Sequence, residues 1–161
     1  MKQEIKNILA KGLGEGYAGE NIRRKIERSG FPVETSDYKG PEGIYHDEWA
    51  AHQNGGGQEL VETLDGEKAT RVYAGGSLAE EELEKLGLTE KDVIWKLVSF
   101  VKQLGDKTRL DTNVKRKEGD WSYSYKVMKS VKEIPVDVAE EDIKYKGNLV
   151  FIHFHINSPV K

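Results

Sequence analysis

Two histidines near the end of the chain have the spacing of a metal site. His153 and His155 lie two residues apart in a segment of strand-forming residues, and residues at that spacing project from the same face of a strand. Imidazoles placed in this way can share one ion. A third ligand from His46, Asp47 or Glu48 would suit a divalent transition metal such as zinc. We favour the alternative, in which both histidines are half-buried and bond to their neighbours, because the sequence has no HExxH motif.

The segment around His46 offers a second kind of chemistry. Strand alternation places Tyr45, Asp47 and Trp49 on one face and His46 and Glu48 on the other. A histidine and a glutamate on one face can exchange protons as an acid and a base. Charged residues on an exposed strand also discourage pairing with other chains, and we favour this structural role over an active site.

Aromatic residues in the predicted strands could line a ligand cleft, because their side chains combine a flat apolar surface with a polar tip. The four that we expect nearest to a ligand are Trp49, Tyr73, Trp121 and Tyr123. The same residues are strand formers, and packing in the core is their more common role.

Two glycine-rich segments resemble phosphate-binding loops. Residues 14–19 satisfy the pattern GxGxxG, but a helix is predicted before them where a dinucleotide site needs a strand, so we interpret them as a connector. Residues 54–57 could cradle an anion with their amides or let two strands reverse, and we favour reversal. The sequence contains neither a GxSxG nor a Walker motif, so nothing in it supports nucleophilic or nucleotide hydrolysis.

Composition excludes several classes of protein. The absence of cysteine excludes disulfides, thiolate metal sites and cysteine nucleophiles. The 25 basic and 28 acidic residues give a net charge of −3, whereas nucleic-acid-binding domains are usually basic. No apolar run approaches the roughly 18 residues of a membrane span, and the N-terminus lacks the apolar stretch of a signal peptide. We therefore expect a cytoplasmic protein with neither a nucleic-acid nor a membrane partner.

The elements that position these residues are predicted from hydrophobic periodicity and turn residues. Strands are predicted at residues 43–49, 58–64, 68–74, 109–115, 121–129, 139–145 and 149–157, and helices at 2–10, 20–28, 78–86 and 90–104. Ser77 and Thr89 are the predicted caps of the last two helices. We expect one α+β domain over residues 1–161, with an antiparallel twisted sheet of about six to eight strands packed against one long helix, and a short N-terminal helix.

The two halves of the chain share a loose pattern. Residues 43–49, 58–62 and 71–76 correspond to 119–125, 141–145 and 150–155, with glycine turns at 65–66 and 146–147. This pattern indicates either a degenerate duplication or the common sequence features of hairpins.

The order of several motifs resembles one family of small uncharacterised prokaryotic domains. The motifs are Tyr17-Ala18-Gly19, Tyr45-His46-Asp47-Glu48-Trp49, Gly57-Gln58-Glu59-Leu60-Val61, Val72-Tyr73-Ala74-Gly75-Gly76, Phe100-Val101, Gly119-Asp120-Trp121-Ser122-Tyr123 and residues 150–155. Members occur alone or behind helix-turn-helix segments, so the resemblance implies a sensing or interaction module, and it carries over no catalytic residues.

These observations predict a small-molecule-binding or protein-interaction domain without catalytic activity. We expect it to need no cofactor and to form a homodimer, with any ligand near the four aromatic residues named above. The alternative is a metal-binding protein or metal-dependent enzyme that uses His153 and His155 with His46 or Glu48.

Overall fold

The computed structural model describes residues 2–16, 19, 23–50 and 54–161. A 3₁₀ turn spans Gly105–Lys107. The helices and strands, in chain order, are α1 (Gln3–Glu15), β1 (Arg24–Arg28), β2 (Phe31–Gly40), β3 (Gly43–Ala50), β4 (Asn54–Thr63), β5 (Lys68–Ser77), α2 (Glu80–Lys85), α3 (Glu90–Leu104), β6 (Val114–Glu118), β7 (Trp121–Val131), β8 (Val136–Tyr145) and β9 (Asn148–Val160).

The nine strands of the described residues belong to one antiparallel sheet, in the order β1-β2-β3-β4-β5-β9-β8-β7-β6. The long strands β5 and β9 pair at its centre, from Lys68 opposite Val160 to Ser77 opposite Phe151. The strands that share a sequence pattern, β3 with β7 and β4 with β8, therefore lie at equal distances from this central pair.

Helix α3 has the predicted bounds, and its ends follow from local sequence. The Thr89 hydroxyl accepts a hydrogen bond from the backbone amide of Asp92, and the Asp92 carboxylate accepts one from the amide of Thr89. This capping box satisfies two amides that would otherwise lack partners. The helix stops at Gly105, whose φ is +52°, a region that favours glycine.

The predicted sheet of six to eight strands packed against one long helix is wrong. In the part of the chain that the structure describes, the sheet has nine strands, and α1, with 13 residues, is nearly as long as α3, with 15. Helix α1 continues past the predicted end at Ala10. Gly12 lets this part of the helix pack closely on β3, because a Cβ there would collide with the ring of Tyr45.

The predicted helix at residues 20–28 is also wrong where it can be compared. Residues 20–22 lie outside the described part of the chain, and Arg24–Arg28 is the edge strand β1. The hairpin forms because Ser29 and Gly30 both have positive φ, 51° and 86°, the geometry of a type I′ turn.

Three further local predictions differ from the structure. Residues 54–57 do not interrupt a strand but begin β4. Arg109 lies in the segment between the 3₁₀ turn and β6, with a φ of +59°, and not in a strand. Ser77 ends β5, and Ala79 precedes α2 without a side-chain cap.

Within the described ranges, the helices cover one face of the sheet and no helix covers the other. Helix α1 packs on β3 and β4 around Tyr45 and Val61, and α2 and α3 pack on β7, β8 and β9 around Tyr123 and Ile143. We call the covered side the helix face and the other side the open face. Among the described residues, no helix is both long enough and apolar enough to cross a membrane.

Candidate functional site

A cluster of charged side chains lies on the helix face of the sheet, at the junction of the two apolar cores. Its members are Asp47 on β3, Glu59 on β4, Arg71 on β5, Arg109 before β6 and Glu141 on β8. None of the five is more than 5% exposed. Charged residues are rarely buried unless they are paired, so the partners of each one determine what the cluster can do.

Glu59 is one of two fully paired carboxylates. It accepts a hydrogen bond from the Tyr45 hydroxyl at 2.9 Å and another from Nε of Arg71. Arg71 also donates from Nη1 to the carbonyl oxygen of Arg109. Burial alone would raise the pKa of Glu59, but the guanidinium of Arg71 outweighs it and holds the pKa below its usual value. Glu59 is therefore ionised at neutral pH.

Glu141 is the second paired carboxylate and has more donors. Nε and Nη2 of Arg109 donate to its two oxygens, each at 2.7 Å, and the Tyr123 hydroxyl donates at 2.6 Å. Nε2 of His155 lies 3.2 Å away. Burial opposes ionisation here too, but the charge of Arg109 and the contact with His155 hold the pKa of Glu141 well below its usual value.

Asp47 lacks such a cationic partner. In the described part of the chain, no guanidinium or ammonium group hydrogen-bonds its carboxyl, which accepts a bond from the Tyr73 hydroxyl at 3.0 Å. Burial, followed by repulsion from the charge of Glu59, raises the pKa of Asp47 to about 8. Asp47 therefore carries a proton at neutral pH.

A cavity of about 40 Å³ lies beside Asp47. Its polar lining comes from Asp47, Glu59, Tyr73, Arg109 and His153, and its apolar lining from Trp49, Ile94, Leu97 and Phe151, with Gly55 and Gly56 completing the wall. A cavity needs only about 10–15 Å³ of such volume to hold one water molecule, so this one has room for a small polar group.

Glycines in β4 and β5 allow this arrangement. Tyr73 lies opposite Gly57, and its side chain crosses that residue to reach Asp47 on the next strand. A Cβ on Gly57 would lie 2.5 Å from the Tyr73 hydroxyl oxygen. Gly75 lies opposite His153, and a Cβ there would lie 2.8 Å from Cδ2 of the imidazole. Glycine inside a strand commonly marks such a close approach.

His153 and His155 project from the same face of β9, as strand alternation indicates, with ring centroids 5.9 Å apart. Burial is the largest influence on both, and it lowers the pKa of His155 and brings that of His153 to about 3. Both rings are neutral at neutral pH, the form that can bind a metal.

The residues best placed to hold a metal are Glu141, His153 and His155, whose ligand atoms lie within 4.8 Å of one another. The charges fit a metal poorly. Arg109 already donates to both Glu141 oxygens, and a zinc dication would add two positive charges beside this guanidinium. Burial of uncompensated charge is costly.

The structure separates the other sequence-predicted residues from this site. His46 and Glu48 lie on the open face, where Nδ1 of His46 is 2.7 Å from Asp37 and Glu48 pairs with Arg28 at 3.0 Å. They cannot share an ion with His153 and His155, which lie on the helix face.

The four predicted ligand residues divide into two pairs. Trp49 and Tyr73 line the cavity. Trp121 packs against Tyr145 with ring centroids 4.7 Å apart, and Tyr123 is buried with its hydroxyl bonded to Glu141. The latter two contribute to the core and do not reach the cavity.

Sequence reasoning missed the ion pairs Glu59–Arg71 and Arg109–Glu141. The available signal was strand alternation, because Glu59 and Arg71 share a face with the buried residues Val61 and Ala69. A charged residue at an inward position is unusual enough to indicate a buried network.

Comparisons of this chain with protein-family models, with curated proteins and with solved structures find no significant match. The resemblance to a family of prokaryotic domains therefore stays a prediction.

Proposed function

We propose that this protein is a small-molecule-binding domain without catalytic activity, and that its ligand occupies the cavity beside Asp47. The observation that supports this function is a buried carboxyl, 1% exposed, that faces a cavity and lacks a hydrogen-bonded cation among the described residues. A carboxyl with a strongly raised pKa in a cavity is a candidate functional group.

An unpaired polar atom of the cavity lining supports the proposal. His153 lines the cavity, and its Nδ1 is buried and has no hydrogen-bond partner among the described residues. Buried polar groups normally find partners. A binding site, in contrast, keeps polar atoms available for its ligand.

The pairing of the other carboxylates favours binding over proton-transfer chemistry. Glu59 and Glu141 are held in their ionised form by arginines, so neither exchanges a proton near neutral pH. A general acid and base mechanism needs groups whose pKa lies near the working pH. Asp47 alone among these three carboxyls meets that condition.

Native mass spectrometry of protein purified without added metal, followed by a thermal-shift screen of small polar metabolites, tests this function. Hits should stabilise the parent protein and should fail to stabilise Asp47→Asn and Tyr73→Phe. Asp142→Asn is the matched control, since this carboxyl lies in the same sheet on the open face. Hits that stabilise all variants equally would exclude the cavity as the site.

One divalent ion per chain, lost in a His153→Ala, His155→Ala double variant, would support the metal alternative instead.

We also propose that two copies of the chain associate through the open face. Among the described residues, large apolar side chains on the central strands of this face that are 40–46% exposed include Ile44, Leu60, Val72, Phe154 and Ile156. Val72 lies directly opposite Ile156, so the apolar patch is continuous across the central strand pair. Exposed patches of this kind mark interaction sites.

A second copy fits this face in area and in symmetry. Five central strands at about 4.8 Å spacing, with about 3.3 Å per residue, present a face of about 700 Å², near the roughly 800 Å² that each partner buries in a standard interface. A twofold dimer requires a patch that complements itself, and this patch lies close to the centre of a sheet with symmetric strand order.

Sedimentation of Val72→Lys and of Leu64→Lys tests this interface. Val72→Lys should turn a dimer into a monomer, because it places a charge at the centre of the patch. Leu64→Lys should not change the mass, because Leu64 is 79% exposed in the turn between β4 and β5. A parent protein that is monomeric at high micromolar concentration would exclude this interface.

A further inference from the structure

We propose that the group bound in the cavity is an ammonium ion, the head of a primary amine, with Asp47 as its counter-ion. This inference rests on the proposed function, because it specifies the ligand of the same cavity. It follows from the charges, the acceptors and the size of the site.

The buried cluster contains one carboxyl more than it contains guanidiniums. Glu59 is paired with Arg71, and Glu141 is paired with Arg109. Asp47 is the carboxyl left over. When Asp47 carries a proton the cluster is neutral, and a monovalent cation that replaces the proton leaves it neutral again. A divalent metal would leave one positive charge uncompensated in a region where burial of charge is costly.

The walls offer acceptors suited to N–H donors. A primary ammonium has three donors and no acceptor. The Asp47 carboxylate can accept one, and His153 can accept another, because its ring is neutral. Nδ1 of His153 is buried without a hydrogen-bond partner among the described residues, because its distance of 3.9 Å from the Glu141 carboxylate is too long for a bond. This nitrogen can accept when the ring proton is on Nε2.

Aromatic rings and size favour an organic ammonium over a hydrated inorganic ion. Trp49, Tyr73 and Phe151 contribute rings to the lining, and aromatic faces attract ammonium groups. Hard inorganic cations instead require a shell of oxygen ligands. The cavity volume of about 40 Å³ has room for an ammonium head, and the remainder of a larger amine would extend beyond it.

Binding of such a cation must release the proton of Asp47. The groups that face Asp47 are Glu59 on β4, Arg71 and Tyr73 on β5, Arg109 before β6 and His153 on β9, while α3 contributes the apolar Ile94 and Leu97. At neutral pH the arginines stay charged and paired, and Tyr73 and His153 stay neutral. Asp47 is therefore the one group of this set that changes protonation between about pH 6.5 and 8.

Titration calorimetry with methylammonium chloride tests the inference. Measurements at pH 7 in two buffers with different ionisation enthalpies should show close to one proton released per bound probe. Asp47→Asn should bind at least tenfold more weakly and release no proton, and Asp142→Asn should behave like the parent. Methanol, a neutral molecule of similar size, and potassium chloride at equal ionic strength should bind at least tenfold more weakly than methylammonium.

The outcomes separate this inference from the proposed function. Binding of methylammonium that Asp47→Asn leaves unchanged, or stronger binding of methanol, would overturn the ammonium assignment while the cavity remained a binding site. If potassium binds as well as methylammonium and releases the same proton, the ligand is an inorganic cation and the assignment also fails. The proposed function itself fails if substitution of Asp47 and Tyr73 changes the binding of none of these molecules: the charged probes, the neutral probe and the hits of the metabolite screen. A cooperative unfolding transition of ligand-free Asp47→Asn at pH 6, at a temperature no lower than that of the parent, would verify that the variant folds.

Discussion

The two halves of the sheet bury the same trio of side chains. In the first half, Tyr45 and Arg71 donate to Glu59. In the second half, Tyr123 and Arg109 donate to Glu141. The two tyrosines lie on β3 and β7, and the two glutamates lie on β4 and β8, at equivalent distances from the centre of the sheet.

The halves differ at the positions next to these trios. Two residues after the tyrosine, the first half has Asp47 and the second has Tyr125. Two residues before the glutamate, the first half has Gly57 and the second has Ala139, which is fully buried in the apolar core. The first half therefore gains a carboxyl and loses a side chain, and the cavity forms there. The candidate site arises where the two halves differ.

Loss of either buried glutamate should have the largest effect on stability. Glu141→Gln leaves Arg109 buried without its counter-ion and should cost about 3–5 kcal/mol of unfolding free energy. Glu59→Gln should cost less, because Glu59 has two donors from Tyr45 and Arg71, whereas Glu141 accepts from Arg109 twice and also contacts Tyr123 and His155. Urea denaturation at pH 7 measures both costs.

The matched control for these variants is Glu140→Gln, which changes the residue beside Glu141 on the open face. It should change the free energy of unfolding by less than about 0.5 kcal/mol. A cost for Glu141→Gln that is no larger than this would show that the buried ion pair contributes nothing to the fold.

The next largest effect should be on the pH dependence of stability, because Asp47 is present only in the first half of the sheet. Asp47 has a pKa of about 8 in the folded protein and about 3.9 in an unfolded chain. The folded state binds this proton more tightly, so the contribution of Asp47 to stability is complete below pH 4 and is lost as the pH rises towards 8. His153 and His155 have lowered pKa values in the folded protein. They bind protons more readily in the unfolded chain, so their contribution makes stability rise with pH up to about pH 6.5.

Stability should therefore pass through a maximum near pH 6.5 and fall above it. The fall between pH 6.5 and 8 should total about 2 kcal/mol, at about 1.4 kcal/mol per pH unit. Asp47→Asn should remove this fall and keep the rise below pH 6.5. Urea midpoints measured at half-unit pH steps check the prediction, and a parallel fall in the parent and Asp47→Asn would contradict it.

The elements that were predicted correctly are those fixed by neighbouring residues. Helix Glu90–Leu104 follows from a capping box, a wide apolar face and a final glycine, all within one segment. The hairpin of β8 and β9 follows from Lys146-Gly147, where both residues have positive φ. The edge strand Arg24–Arg28 was missed because it has a single large apolar residue, and only its pairing with β2 makes it a strand.

The site was harder to predict than the fold because it depends on strand register. Alternation alone indicates that His153 and His155 share a face of their strand and that Asp47 and Trp49 share a face of theirs. It does not indicate that these two faces are the same side of one sheet, which requires the pairing of β3 with β4, β5 and β9. Arg109 lies outside any strand, so no periodicity could place it against Glu141.

The smallest expected effect comes from the two tyrosines of the trios. Tyr45→Phe and Tyr123→Phe each remove a hydrogen bond to a carboxylate and should each cost about 1.5 kcal/mol. Tyr123→Phe should cost slightly more, because the Tyr123 hydroxyl also lies 2.5 Å from the Thr108 hydroxyl.

The two variants should differ clearly in a second measurement, the pH dependence of their stability. Tyr45→Phe removes a donor from Glu59, whose charge raises the pKa of Asp47, so the fall in stability above pH 6.5 should continue to a higher pH than in the parent. In Tyr123→Phe the fall should end at the same pH as in the parent. An identical shift in both variants would mean that Asp47 senses the whole cluster and not the glutamate beside it.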